Sequence, residues 1–155
     1  MKIATNLLWL FLIAIGIVNV GLADQEIPLK AVYSSAYCGM SQQALKRINN
    51  PTELGKLMDV ILSGAQPRPS IKIDVDYASQ SLIFFALGQK TSAGFNLQLD
   101  KNQAFIRAGK LYLPVRVIQP AAGSFQAQVM TSPCQIYSIA KVEFTEILLE
   151  DYADL

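Results

Sequence analysis

The sequence predicts a mainly β domain: an antiparallel sheet folded into a sandwich or open barrel, with one helix near residues 51–63. Three observations predict it. After Pro69 the apolar residues recur with a period of two or in short continuous runs, and clusters of Gly, Pro, Ser and Thr punctuate those runs. Only one stretch, Leu54 to Leu62, places apolar residues at helical spacing. Many short strands with a single early helix describe a sheet closed on itself rather than alternating βαβ units.

Residues 1–23 stand apart from that domain and read as a signal peptide. Lys2 gives a short positive start, Leu7 to Val18 forms the apolar core, and Gly21-Leu22-Ala23 supplies small residues before Asp24. The competing reading is a retained anchor. A spanning helix needs about 20 apolar residues, and this core is interrupted at Asn19, so cleavage is expected, leaving residues 24–155 as one domain with no stable membrane span. A lipoprotein would need its cysteine directly after the apolar core, whereas the first cysteine is Cys38.

Within the domain, Gln25 to Ala36 and Gln43 to Ile48 are expected as the first two strands. Asn50 then caps a helix, with Pro51 in its first position, where a missing N–H leaves no bond unmade, and Glu53 three residues after the cap. Leu54, Leu57, Met58, Ile61 and Leu62 form one apolar stripe, best read as core. The helix ends at Ser63-Gly64, and Pro67-Arg68-Pro69 cannot continue it. Ile71, Ile73 and Val75 alternate with Lys72, Asp74 and Asp76 as a strand. Leu82 to Leu87 is a continuous apolar strand, and Phe95, Leu97 and Leu99 alternate with polar residues. Further strands are expected at Gln103 to Arg107, Lys110 to Ile118, Phe125 to Met130, Gln135 to Ile139 and Lys141 to Leu149. The acidic end, from Glu143 and Glu146 to Glu150-Asp151 and Asp154, reads as a solvated strand face and tail.

Composition narrows the function. Of 155 residues 52% are hydrophobic, 13 are Lys or Arg against 12 Asp or Glu, and none is histidine. Without histidine there is no Ser-His-Asp or Cys-His unit and no side chain whose ordinary pKa lies near neutrality. Removal of the leader takes away Lys2 and no acidic residue, so the exported domain carries equal numbers of basic and acidic side chains. That balance argues against a nucleic-acid partner, which a basic excess would serve.

Two cysteines in an exported chain are most simply a disulfide, Cys38 to Cys134, rather than a reactive thiol or metal ligands, because they lack CxxC spacing and any histidine partner. Closing so long a loop stabilises the chain by about 4 to 5 kcal/mol in the chain-entropy account. Asp74 and Asp76, on one face of an expected strand about 7 Å apart, have a spacing able to hold a cation or serve as an acid/base pair. Alternating polar residues on a wet sheet face produce such pairs routinely, and no third oxygen-rich cluster completes a calcium site. Ser92, Thr131 and Ser132 lack an SxxK arrangement that would activate them. Tyr33, Tyr37, Phe84, Phe85, Phe95 and Phe125 are able to stack on a peptide or sugar, although most are expected in the core.

The most informative segment is the loop Gly88-Gln89-Lys90-Thr91-Ser92-Ala93-Gly94-Phe95. It is longer than a minimal hairpin and suited to presenting backbone N–H groups and hydroxyls outward. Gln119 to Gly123 and Thr131 to Cys134 are similar in composition. Brought to one end of the fold, these loops would form a rim able to grip a peptide or protein. Ordinary surface turns are the alternative.

In order, Ile73-Asp74-Val75-Asp76-Tyr77, the 88–95 loop, Gln119-Pro120 with Gly123, and Thr131-Ser132-Pro133-Cys134 resemble the C-terminal domain of the protease complex subunit PrcB family, over about residues 43 to 142. The chain departs from that pattern at Tyr77 (usually Phe), Thr91 (often Pro), Ser92 (usually Thr) and Phe95 (usually Tyr, so a phenolic hydroxyl is absent). The family is named for a subunit of a bacterial surface protease assembly. The resemblance therefore implies an exported, noncatalytic accessory protein with a protein partner, such as an envelope protease, and without cofactor or metal. Thr91, Ser92, Gly94 and Phe95 are the candidate binding residues. The turn ending at Phe95 is also similar to the protease-inserting loop of chagasin-type inhibitors, which makes an inhibitor the alternative function.

Overall fold

The computed structural model describes residues 24–150; the leader assigned to residues 1–23 and the last acidic residues lie outside them. In chain order the elements are β1 (Gln25–Ser35), β2 (Gln43–Ile48), α1 (Pro51–Ile61), β3 (Gln80–Leu87), β4 (Asn96–Leu99), β5 (Gln103–Arg107), β6 (Lys110–Leu113), β7 (Val115–Ile118), β8 (Cys134–Ala140) and β9 (Glu146–Leu149). Seven strands form one sheet in the order β2-β3-β8-β1-β5-β6-β9, and β4 pairs with β7 in a second, smaller sheet. The large sheet curls into a nearly closed barrel, so the chain is mainly β with one helix.

The helix forms where its cap signals stand. Asn50 Oδ1 accepts the Glu53 N–H at 2.9 Å, and the Glu53 carboxylate accepts from the Asn49 N–H and the Asn50 amide. These bonds satisfy N-terminal donors that have no intrahelical partner. Leu57, Ile61 and Leu62 of the apolar stripe are buried, facing Ile48, Leu82, Phe84 and Ile136 on the outer side of the sheet.

That packing explains the uninterrupted apolar run in β3. Ile83, Phe85 and Leu87 point into the barrel core with Ile27, Leu29, Leu111, Leu113, Tyr137 and Ile139, while Leu82, Phe84 and Ala86 point the other way into the core under α1. A strand buried on both faces has no polar side to display. Inside the barrel the Tyr137 hydroxyl donates to Gln135 Oε1 at 2.6 Å, and Gln135 Nε2 donates to the Leu97 carbonyl at 2.8 Å. This chain satisfies two polar groups that burial would otherwise leave unpaired.

Five expectations need correction. Residues 71–76 form no strand: Ile73, Val75 and Tyr77 pack over the α1 core, and a segment crossing a sheet face meets side chains rather than a free ladder. The run from Lys110 to Ile118 is two strands, because Pro114 has no N–H to donate and marks the switch from the large sheet to the small one. Phe125 to Met130 is not a strand, since it has no buried face and Phe125 is fully exposed. Strand structure returns after β8 only at Glu146, the intervening chain crossing the barrel end with bonds from the Lys141 N–H to the Ser79 carbonyl and from the Thr145 N–H to the Gly109 carbonyl. Finally, β9 pairs with β6 in parallel, so the sheet is not wholly antiparallel.

Candidate functional site

The expected Cys38–Cys134 disulfide is present, with both cysteines buried and their Cα atoms 6.0 Å apart. It ties the 36–41 loop to the start of β8. Ser132 reinforces that tie: its hydroxyl accepts from the Met40 N–H at 3.0 Å and donates to the Met40 carbonyl at 2.9 Å. Its own N–H donates to the Ala36 carbonyl at 2.8 Å, and its carbonyl accepts from Cys38 at 2.9 Å. A hydroxyl engaged in both directions is a structural rivet between the 36–41 loop and the segment before β8.

The 88–95 loop joins the same cluster. Lys90 and Thr131 exchange backbone bonds of 2.8 and 2.9 Å, the Ala93 N–H donates to the Ala127 carbonyl at 3.0 Å, and the Thr131 hydroxyl donates to the Ser92 carbonyl at 3.1 Å. Gly94, at φ +91°, lies so close to Gln126 and Pro120 that an added Cβ would come within 3.0 Å of both. The three loops singled out in the sequence therefore meet at one end of the barrel, together with the 36–41 loop.

Residues 81–140 match the PrcB C-terminal family. The match runs from β3 through β8 and takes in all three of those loops. No curated protein and no solved structure matches the chain.

The structure places the four candidate residues of the 88–95 loop differently from one another. Thr91 is exposed. Ser92 is half-buried, Gly94 is packed against Pro120 and Gln126, and Phe95 is half-buried against the barrel core with the Lys90 ammonium 5.5 Å from its ring centre. The N–H groups of Gln89, Lys90 and Ala93 donate within the protein, so the loop offers fewer outward donors than its composition suggested.

Beside the loops lies a groove of about 580 Å³, within the range of ligand-sized sites. The 36–41 loop, the C-terminal end of α1, residues 69–71 and residues 130–132 enclose it, and Gln89 joins it to the 88–95 loop. No charged residue lines it, and three large apolar side chains face solvent there: Tyr37 is 63% exposed, Met130 53% and Ile71 37%. Of the aromatic residues singled out earlier, Tyr33 and Tyr37 line this groove and Phe84 and Phe85 fill the core. Sequence reasoning missed Met130 and Ile71. Both sit in runs whose alternation reads as strand, and only the absence of a strand leaves them at the surface.

The Asp74–Asp76 pair does not assemble a site. Asp76 accepts from the Ala78 N–H at 3.0 Å and the Ser79 hydroxyl at 2.6 Å, closing the turn before β3. The Ser79 bond, then the Ala78 bond, hold its carboxyl below the usual carboxylate range. Asp74 is exposed, and no group of three or more metal-ligating side chains occurs among the described residues.

Proposed function

We propose that this is an exported, noncatalytic accessory domain that holds a protein partner, an envelope protease, through the uncharged groove at its disulfide end. One observation carries the reading: Tyr37, Ile71 and Met130 remain exposed together around a groove without a charged residue. Exposed apolar side chains rimmed by polar loops are what a protein contact needs, and large aromatic and Met side chains dominate such contacts. The family match supports a protease complex as the setting. Export is supported by the leader-like residues 1–23 and by a disulfide, which persists in oxidising compartments. No helix among the described residues is long and apolar enough to cross a membrane. The inhibitor alternative gains no comparable support, because an inserting loop needs free outward groups and the 88–95 loop bonds along much of its length to residues 127–131.

The test is copurification. Affinity-tagged domain expressed with its leader is expected to retain an envelope protease, and Tyr37→Glu with Met130→Glu is expected to lose it while melting normally. Retention by that double variant would remove the groove from the account.

A further inference from the structure

A second surface, along the body of α1 and meeting the disulfide-end groove at Met40, carries an inference of its own. β2 is the outermost strand of the large sheet, paired on one side only, with β3. The Leu87 N–H bonds to the Pro133 carbonyl and the Ser79 carbonyl accepts from Lys141, so the odd-numbered residues of β3 turn toward β8 and the even-numbered ones toward β2. Through the register Ala44↔Ala86, Lys46↔Phe84 and Ile48↔Leu82, the main-chain groups of Gln43, Leu45 and Arg47 then face outward. None of them has a hydrogen-bond partner outside the ladders among the described residues.

That edge borders a groove of about 340 Å³ between β2 and α1, with Met40, Leu57 and Val60 on its wall. Val60 is 48% exposed. Lys46 and Lys56 stand at the groove, both exposed, and neither forms an ion pair among the described residues. The one acid there, Glu53, directs its carboxylate to the Asn49 N–H and the Asn50 amide.

An open strand edge selects an extended backbone, the groove selects apolar side chains at alternate positions, and two uncompensated ammonium groups select acidic ones. We infer that β2 and the α1 groove bind an acidic, extended peptide segment of a partner by strand addition. A second copy of the chain fits worse, because pairing β2 with itself would bring a second set of the same cations to the edge. The site stands whether or not the disulfide-end groove holds a partner.

The experiment is amide exchange followed by NMR, with a capped octapeptide of alternating Glu and Val as probe. In the free domain the amides of Gln43, Leu45 and Arg47 should exchange fast, and the peptide should protect them. A Lys-Val octapeptide, or the Glu-Val peptide N-methylated at alternate amides, should give no protection. Lys46→Glu with Lys56→Glu should weaken binding about tenfold or more with an unchanged melting curve. Slow exchange at these three amides in the free domain would mean that another segment or a second copy covers the edge. No protection at millimolar peptide, or equal protection by the Lys-Val or N-methylated peptide, would equally overturn the inference.

Discussion

Two glycines that resemble each other in sequence behave differently in the fold. Gly88 and Gly94 both have positive φ, +73° and +91°, but a Cβ on Gly88 would lie 2.7 Å from the Gln42 carbonyl carbon, whereas one on Gly94 would meet chiefly the end of the Gln126 side chain. Backbone cannot withdraw and a glutamine can. Gly88→Ala is therefore expected to cost more than about 2 kcal/mol and Gly94→Ala about 1 kcal/mol, read as a difference in denaturant midpoints at constant slope. Asp76 makes a pH prediction. Its folded pKa is depressed, so its stabilisation is present above the ordinary carboxylate value and fades as pH falls through the lower folded value. The stability gap between the parent and Asp76→Asn should shrink over that acidic interval, and a gap unchanged down to pH 2 would contradict the turn role. Here the sequence was only half legible. The Asp-x-Asp spacing was visible, but whether it lay on a strand depended on a neighbouring edge that local residues do not specify.

At the scale of elements, legibility followed burial. The capped α1 and the apolar β3 were readable because each carries its own signal, a cap with a stripe in one case and a run buried on both faces in the other. Residues 71–76 and 125–130 misled because alternation records which side chains are buried, whereas a strand also needs a partner for its ladder. Their failure as strands is what exposes Ile71 and Met130, so the candidate groove was hidden in the same places where the strand assignment went wrong. The disulfide was legible from compartment and cysteine count, and its position binds the 36–41 loop to β8 across a separation of 96 residues. Replacing both cysteines by serine should lower stability by about 2 to 5 kcal/mol. It should also speed amide exchange at Met40 and Ser132 more than in β3; uniform loss of protection would assign the bridge a global role only.

For the molecule as a whole, a sequence without histidine holds no Ser-His-Asp or Cys-His unit, and several of its charges form scattered surface pairs such as Arg107–Asp24 and Lys110–Glu146. Pairs this exposed contribute little to stability. They leave one end of the barrel, bounded by the disulfide and the 88–95 loop, with exposed apolar side chains and an uncharged groove. The central claim is that this end holds the partner. Site-specific photo-crosslinking measures it most directly, with the photoreactive residue placed in turn at Tyr37, Ile71, Met130 and, on a different surface, Lys101. Adducts with one envelope protein from the first three positions and none from Lys101 are predicted. Equal adducts from all four, or an adduct from Lys101 alone, would contradict the claim.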